Sequence, residues 1–202
     1  MAYAAAFGDR EDASLYPKKL FAESSAATVK ALIAFFEDRL KVMLKSEGVR
    51  HDVIAAVMAG GEDDLLLISR KAKALQVFLD NENGANLLAA YTRASNILAA
   101  EEKKDGARFD GAPSSSIFEQ PEEEALFAAL EAAEPKVNKA LKEEAFAAVM
   151  QALSALRGPL DAYFDGVMVN AEDDALRENR LKTLNRIRAA ILQVADFERI
   201  EG

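Results

Sequence analysis

The sequence predicts an all-α protein, a helical bundle of about eight helices. Three observations carry that expectation. Alanine, leucine, glutamate and lysine, all strong helix formers, dominate the chain. No stretch alternates apolar and polar residues for long, as a half-buried strand would. Apolar residues recur instead at three- and four-residue spacing between glycine, proline and asparagine stops.

Each element rests on these signals. Residues 1–22 lack a period, and Gly8 and Pro17 mark them as a loose lead-in. Ser24 or Ser25 is placed to cap a long helix with the stripe Val29, Leu32, Ile33, Phe36, Leu40, Met43 and Leu44. Gly48 ends it. A short helix over Asp52–Met58 is stopped by Gly60-Gly61. The third begins after Glu62, with Leu65, Leu66, Ile68, Ala72, Leu75 and Phe78 inside. Asn81–Gly84 reads as a turn, and a fourth helix runs over Ala85–Lys103. Residues 105–116 form the longest loop, with Gly106, Gly111, Pro113 and three consecutive serines. Pro121 then opens a helix with Glu122, Glu123 and Glu124 in its first turn, which suits the helix dipole. Pro135 interrupts that helix or opens another. Helices over Glu143–Leu156 and Leu160–Asp165 come next. The last runs from Asp173 or Asp174 to Phe197, capped by Asn170 or Asp173. The expected organisation has four parts: a lead-in (1–22), an N-terminal helical part (23–104), a loop (105–116) and a C-terminal helical module (117–202). The N-terminal helical part is expected to pack on the C-terminal module.

Half of the 202 residues are hydrophobic, enough for a substantial core. No apolar run reaches membrane-spanning length and no leader pattern precedes a cleavage site, so a soluble, cytoplasmic protein without a membrane partner is expected. Cysteine is absent, which removes disulfides, thiolate chemistry and Cys-ligated metals together. The net charge of −9 argues against nonspecific coating of nucleic acid, though not against a local site. Between Arg177 and Arg199 six basic residues face three acidic ones, while Glu119–Glu134 and Glu62–Asp64 hold much of the acidity.

Catalytic patterns are missing. His51-Asp52 resembles the dipeptide of metal-dependent phosphohydrolases, but those need several histidines and this chain has one. A serine nucleophile would need that same histidine, and no Gly-x-Ser-x-Gly elbow exists. No glycine loop with a following lysine is present to cradle phosphate. No catalytic centre, metal site or cofactor is therefore expected in this chain.

The cations are more informative. On the last helix Leu176, Leu181, Leu184, Ile187, Ile191 and Val194 share one arc, and Arg177, Arg180 and Arg188 point into it. A guanidinium there is costly unless a carboxylate, carbonyl or phosphate meets it. For Arg180 the expected partners are Asp161 or Asp165. Arg177, at the edge, is free to turn its head outward. Lys182 and Arg186, four apart on the opposite side, are placed to touch phosphates. Arg93 and Asn96, with Ala89 and Ala100, line one shallow face of the fourth helix, where a backbone or base can approach. Lys103-Lys104 closes that helix, and Arg50 sits in a loop. Arg177, Arg180, Lys182, Arg186, Arg93, Asn96 and Arg50 are thus the candidate RNA-binding residues, each against a structural alternative of ion pairing or solvation.

The segment Asp174-Ala175-Leu176-Arg177 resembles the motif that names the DALR anticodon-binding domain of aminoacyl-tRNA synthetases. Its surroundings, Phe164-Asp165-Gly166-Val167-Met168-Val169-Asn170, Asn179-Arg180-Leu181 and Val194-Ala195-Asp196-Phe197, look like the closing stretch of bacterial glycyl-tRNA synthetase beta subunits. Upstream, Phe35–Lys41, Gly48–Ile54, Asn86–Tyr91 with Arg93-Ala94 and Asn96-Ile97-Leu98, and Phe109–Pro113 are similar to that family in the same order. The resemblance covers roughly residues 28–200. It implies an all-α fold that binds the anticodon region of glycine tRNA and supports glycine attachment. It also implies an alpha-subunit partner that performs the chemistry with ATP and magnesium, in an assembly of two alphas with two betas. Two other classes stand beside it. One is a non-catalytic helical protein-interaction scaffold with every arginine ion-paired. The other is a small all-α enzyme that gathers arginines in a pocket around a carboxylate ligand.

Overall fold

The computed structural model describes residues 18–201, with side chains from residue 26. Among the described residues there are eight α-helices: α1 (Lys18–Ser46), α2 (His51–Met58), α3 (Leu65–Leu79), α4 (Glu82–Asp105), α5 (Pro121–Lys142), α6 (Phe146–Ser154), α7 (Arg157–Gly166) and α8 (Asp174–Leu192). Short 3-10 turns cover Ser115–Ile117 and Phe197–Arg199. The all-α expectation stands. Of the expected lead-in, residues 1–17 lie outside the described residues, and residues 18–22 are already helical. Ser24 and Ser25 therefore lie within α1 and do not begin it.

The chain divides into two units, one ending at Val42 and the other beginning at Met43. In the first, the described part is a single helix. Val29, Leu32 and Phe36, expected inside, are exposed there, because no second described element of that unit is available to bury them.

The second unit is built around α4 and α8. Leu87, Leu88, Tyr91, Ala94 and Leu98 bury one side of α4. That helix meets α3, α6, α7 and α8. Across the 105–116 loop, α4 on one side packs along α8 on the other. Gly106 ends α4 at φ 62°, a left-handed conformation that favours glycine. The start of α4 is equally specific. Asn81 accepts a hydrogen bond from the Gly84 backbone N–H at 3.0 Å. A Cβ on Gly84 would sit 1.9 Å from the Phe78 carbonyl oxygen, so α3 and α4 close on each other only around glycine.

Helix α5 continues through Pro135. It opens with Pro121 and a capping box in which the Glu123 carboxylate accepts from the Glu119 and Gln120 backbone N–H groups at 3.1 Å each. Asp173 caps α8 by accepting from Leu176 N–H at 2.8 Å. That helix stops at Leu192, five residues before the expected Phe197. Phe197 instead enters the core edge-on to Tyr91, 5.5 Å between ring centres. On α3, Leu66 is exposed, unlike the inward position expected for it. No described helix is long and apolar enough to cross a membrane.

Candidate nucleic-acid interface

The arginines of α8 are engaged one by one. Arg180 is buried, as its place on the apolar arc requires. Its partner is neither Asp161 nor Asp165 but Glu123 on α5, with Nε to Oε1 at 3.0 Å and Nη2 to Oε2 at 3.1 Å. Nη1 donates to the Met168 carbonyl at 2.9 Å. Burial alone would raise the Glu123 carboxyl, but the Arg180 bonds and the two capping N–H groups outweigh it and hold it below its ordinary range. At 3% exposure Arg180 is held inside the bundle by these bonds, the structural alternative for this candidate.

Arg177 does not turn outward. It donates to Asp105 at 2.8 Å and to Glu101, both on the C-terminal turns of α4. Arg177 in turn holds the Glu101 carboxyl below its ordinary value. Arg188 forms a fork on Glu102, at 2.9 and 3.1 Å. Arg186 was expected on an open polar face. It lies instead against α5, bound to Glu134 at 2.7 and 2.9 Å and to Glu131 at 2.9 Å, with its guanidinium 4.8 Å from the Phe127 ring centre. Lys182 pairs with Glu178 at 2.6 Å. Arg50 is bound to Asp52, which also accepts from the Val53 and Glu201 backbone N–H groups. Arg50 and Asp52 thereby tie the C-terminal residues to α2.

Five of the seven candidate residues are thus in ion pairs. Arg93 and Asn96 are not. Both are exposed on α4 beside exposed Ala89 and Ala100, and neither has an ion pair or hydrogen bond among the described residues. The Arg93 guanidinium lies 4.5 Å from the centre of the Phe164 ring on α7, a cation–π contact. Around this stack lies a groove of about 470 Å³, lined by Asn86, Arg93, Arg157, Asp161, Phe164 and Asp165 among others. Arg157 is held by Asn83 at 2.8 Å and by Asp161 at 3.5 Å. Sequence reading missed Asn86, Arg157 and Phe164 as members of a site. Phe164 lies 71 residues beyond Arg93, and neither position carries a motif that announces the pairing.

A larger depression of about 790 Å³ between α3 and α6 is lined mainly by apolar groups, including Val77, Phe78 and Met150. No group of three or more His, Asp or Glu able to hold a metal ion occurs among the described residues. Asp52 of the His51-Asp52 pair is a structural acceptor, as described above. Arg93 and Arg157 share the smaller groove, with Asp161 and Asp165 beside them, whereas the arginines of α8 are each held by carboxylates.

Comparison with known proteins places this geometry. The profile of the DALR anticodon binding domain family matches residues 87–196, from α4 through the 105–116 loop to the end of α8 and beyond. The glycine–tRNA ligase beta subunit of Rhodospirillum centenum is 51% identical over 200 residues, covering 94% of this chain and 28% of that protein. The corresponding subunits of Dinoroseobacter shibae and Cereibacter sphaeroides are each 51% identical over 172 residues, covering 85% of this chain and 24% and 25% of theirs. The chain spans about a quarter of the length of these curated relatives.

Proposed function

The chain belongs to the DALR anticodon binding domain family, and from that premise we propose that it binds the anticodon region of glycine tRNA as the C-terminal part of a glycyl-tRNA synthetase beta subunit. The relatives' subunit supports the choice of tRNA. On this reading the domain holds RNA while ATP- and magnesium-dependent aminoacylation is carried out by the alpha subunit, within a cytoplasmic assembly of two alphas and two betas. The present chain contributes no catalytic centre of its own to that reaction.

The observation that carries the reading is the outward face of α4. Arg93 and Asn96 are polar, exposed and uncommitted among the described residues, between alanines that leave room for an approaching strand. Arginine suits phosphate or a base edge, and asparagine suits a base edge. Arg177, Lys182, Arg186 and Arg50 are then secondary contacts, which reach RNA only by exchanging a carboxylate for a phosphate. Fluorescence anisotropy with glycine tRNA, against the same tRNA carrying a swapped anticodon, tests the proposal at two salt concentrations. Preference for the native anticodon supports it. Equal affinity for both leaves only phosphate contact.

One rival has its own support. The complete pairing of the α8 arginines and the charge of −9 are what a protein-interaction scaffold would show. Such a scaffold would bind neither tRNA at either salt concentration.

A further inference from the structure

The groove between α4 and α7 differs from a phosphate site in its charge. Arg93 and Arg157 bring two positive charges, and Asp161 and Asp165 bring two negative ones. An anion entering it would meet the Asp165 carboxylate, which has no ion pair or hydrogen bond among the described residues. Two further polar groups without an ion pair or hydrogen bond among the described residues, Asn86 and Asp165, line the groove with the Arg93–Phe164 stack. The Asn86 amide offers a donor and an acceptor, the Arg93 guanidinium offers donors, and Asp165 offers only acceptors. The cavity of about 470 Å³ falls within the usual range for small-ligand sites. The Phe164 ring holds the guanidinium carbon 4.5 Å from its centre, and guanidinium planes stack on unpaired bases.

We propose that this groove seats one unstacked nucleobase that carries an exocyclic amino group, and that Asp165 selects for that group. The base lies on the Arg93 plane. Its amino group donates to the Asp165 carboxylate, and its ring nitrogen or carbonyl accepts from Asn86 or Arg93. Cytosine, adenine and guanine satisfy this pattern. Uracil does not, because its O4 would face a carboxylate with no proton between them. The inference rests on the tRNA-binding reading and goes beyond it by naming one subsite and its chemical preference.

The test uses the 202-residue chain with labelled hexaribonucleotides C6 and U6, matched in size and charge, alongside glycine tRNA. Binding of C6 on the order of tenfold tighter than U6 is expected, a ratio typical of one well-placed base contact. Asp165→Asn should abolish the preference by improving U6 binding, since an amide can donate to O4. Arg93→Lys keeps the charge and loses the stacking plane, so it should weaken C6 several-fold. Both positions are exposed, and unchanged melting temperatures would exclude misfolding. If glycine tRNA binds but the hexamers do not discriminate, or Asp165→Asn leaves the ratio unchanged, the base-seat proposal is overturned and the tRNA reading survives. If neither tRNA nor hexamer binds, both fall.

Discussion

Removing the Arg180 side chain isolates the electrostatic centre of the bundle. In the folded protein Arg180 and Glu123 are 3% and 1% exposed, and the pair is joined by two hydrogen bonds, at 3.0 and 3.1 Å. Arg180→Ala would leave the Glu123 carboxylate buried without its cation, and orphan the Met168 carbonyl, now bound at 2.9 Å. Breaking a buried pair from one side costs about 3–5 kcal/mol. The lower end applies here, because Glu123 keeps two backbone donors in the first turn of α5, where the helix dipole favours a negative charge. A loss of about 3 kcal/mol corresponds to a fall in Tm of roughly 6–12 °C for a chain of this size. Thermal unfolding followed by circular dichroism at neutral pH reads it directly.

The pH dependence provides an independent check. In the native protein Glu123 is held below its ordinary value, so its contribution is fully present above the unfolded pKa and lost as pH falls through the folded one. In Arg180→Ala the arginine is gone, and burial favours the protonated acid. The folded pKa then lies above the unfolded value, and the penalty for an ionised Glu123 disappears as the solution is acidified. The gap in Tm between variant and native protein should therefore narrow from pH 7 toward pH 4. Replacing both partners, as Arg180→Met with Glu123→Gln, should recover part of the loss, because no buried charge is left without a partner and the amide oxygen can still accept from the Glu119 and Gln120 N–H groups. An Arg180→Ala variant that melts within 2 °C of the native protein would refute the reasoning.

Three further outcomes rest on the same contacts. Gly84→Ala should destabilise the protein by about 1–3 kcal/mol, more than helix propensity would return, since the new methyl meets the Phe78 carbonyl at 1.9 Å; urea denaturation measures it. Asn179 donates to and accepts from the Ser114 backbone, at 3.0 and 2.7 Å. Asn179→Ala should therefore cost about 1–3 kcal/mol and speed amide hydrogen exchange at Ser114; protection there equal to native would contradict the tie. Glu101 and Glu102 are held low chiefly by Arg177 and Arg188 respectively. Their stabilisation is complete above the ordinary carboxyl value of 4.5 and declines as pH falls through the lowered values. Tm should thus fall on acidification below that point, and Arg188→Ala should flatten the fall.

The helical class was legible because each signal for it is local. Alanine-rich stretches, Gly106, Pro121 and Asp173 act on their own few residues, and the helices begin or end beside them. Local signals also have local limits. Pro135 reads as a break, yet α5 continues through it with Val137 and Ala140 buried beyond. The same limit explains why the arginines were only half legible. Their helical positions showed that Arg180 must be met inside the core. Which carboxylate meets it depends on how α5 lies along α8, and Glu123 is 57 residues away.

The distribution of charge explains why the helix richest in arginine is not the most available one. Helix α8 carries Arg177, Arg180, Arg186 and Arg188, and the carboxylates that meet them come from both sides of the loop: Glu101, Glu102 and Asp105 from α4, Glu123, Glu131 and Glu134 from α5. A central helix flanked by two acidic ones gains its place by ion pairing, and each pair formed removes a cation from competition for RNA. The acidic run at Glu119–Glu134, which counts against nucleic-acid binding when read as net charge, supplies three of those carboxylates. Net charge therefore misjudges this protein twice, both times against RNA binding. It understates the free cation on α4, where Arg93 stacks on a ring instead of a carboxylate, and it overstates the repulsion from acids already neutralised inside the bundle. An RNA strand that approaches α4 meets alanine, asparagine and one guanidinium, and sequence reading by base contact requires such uncommitted groups.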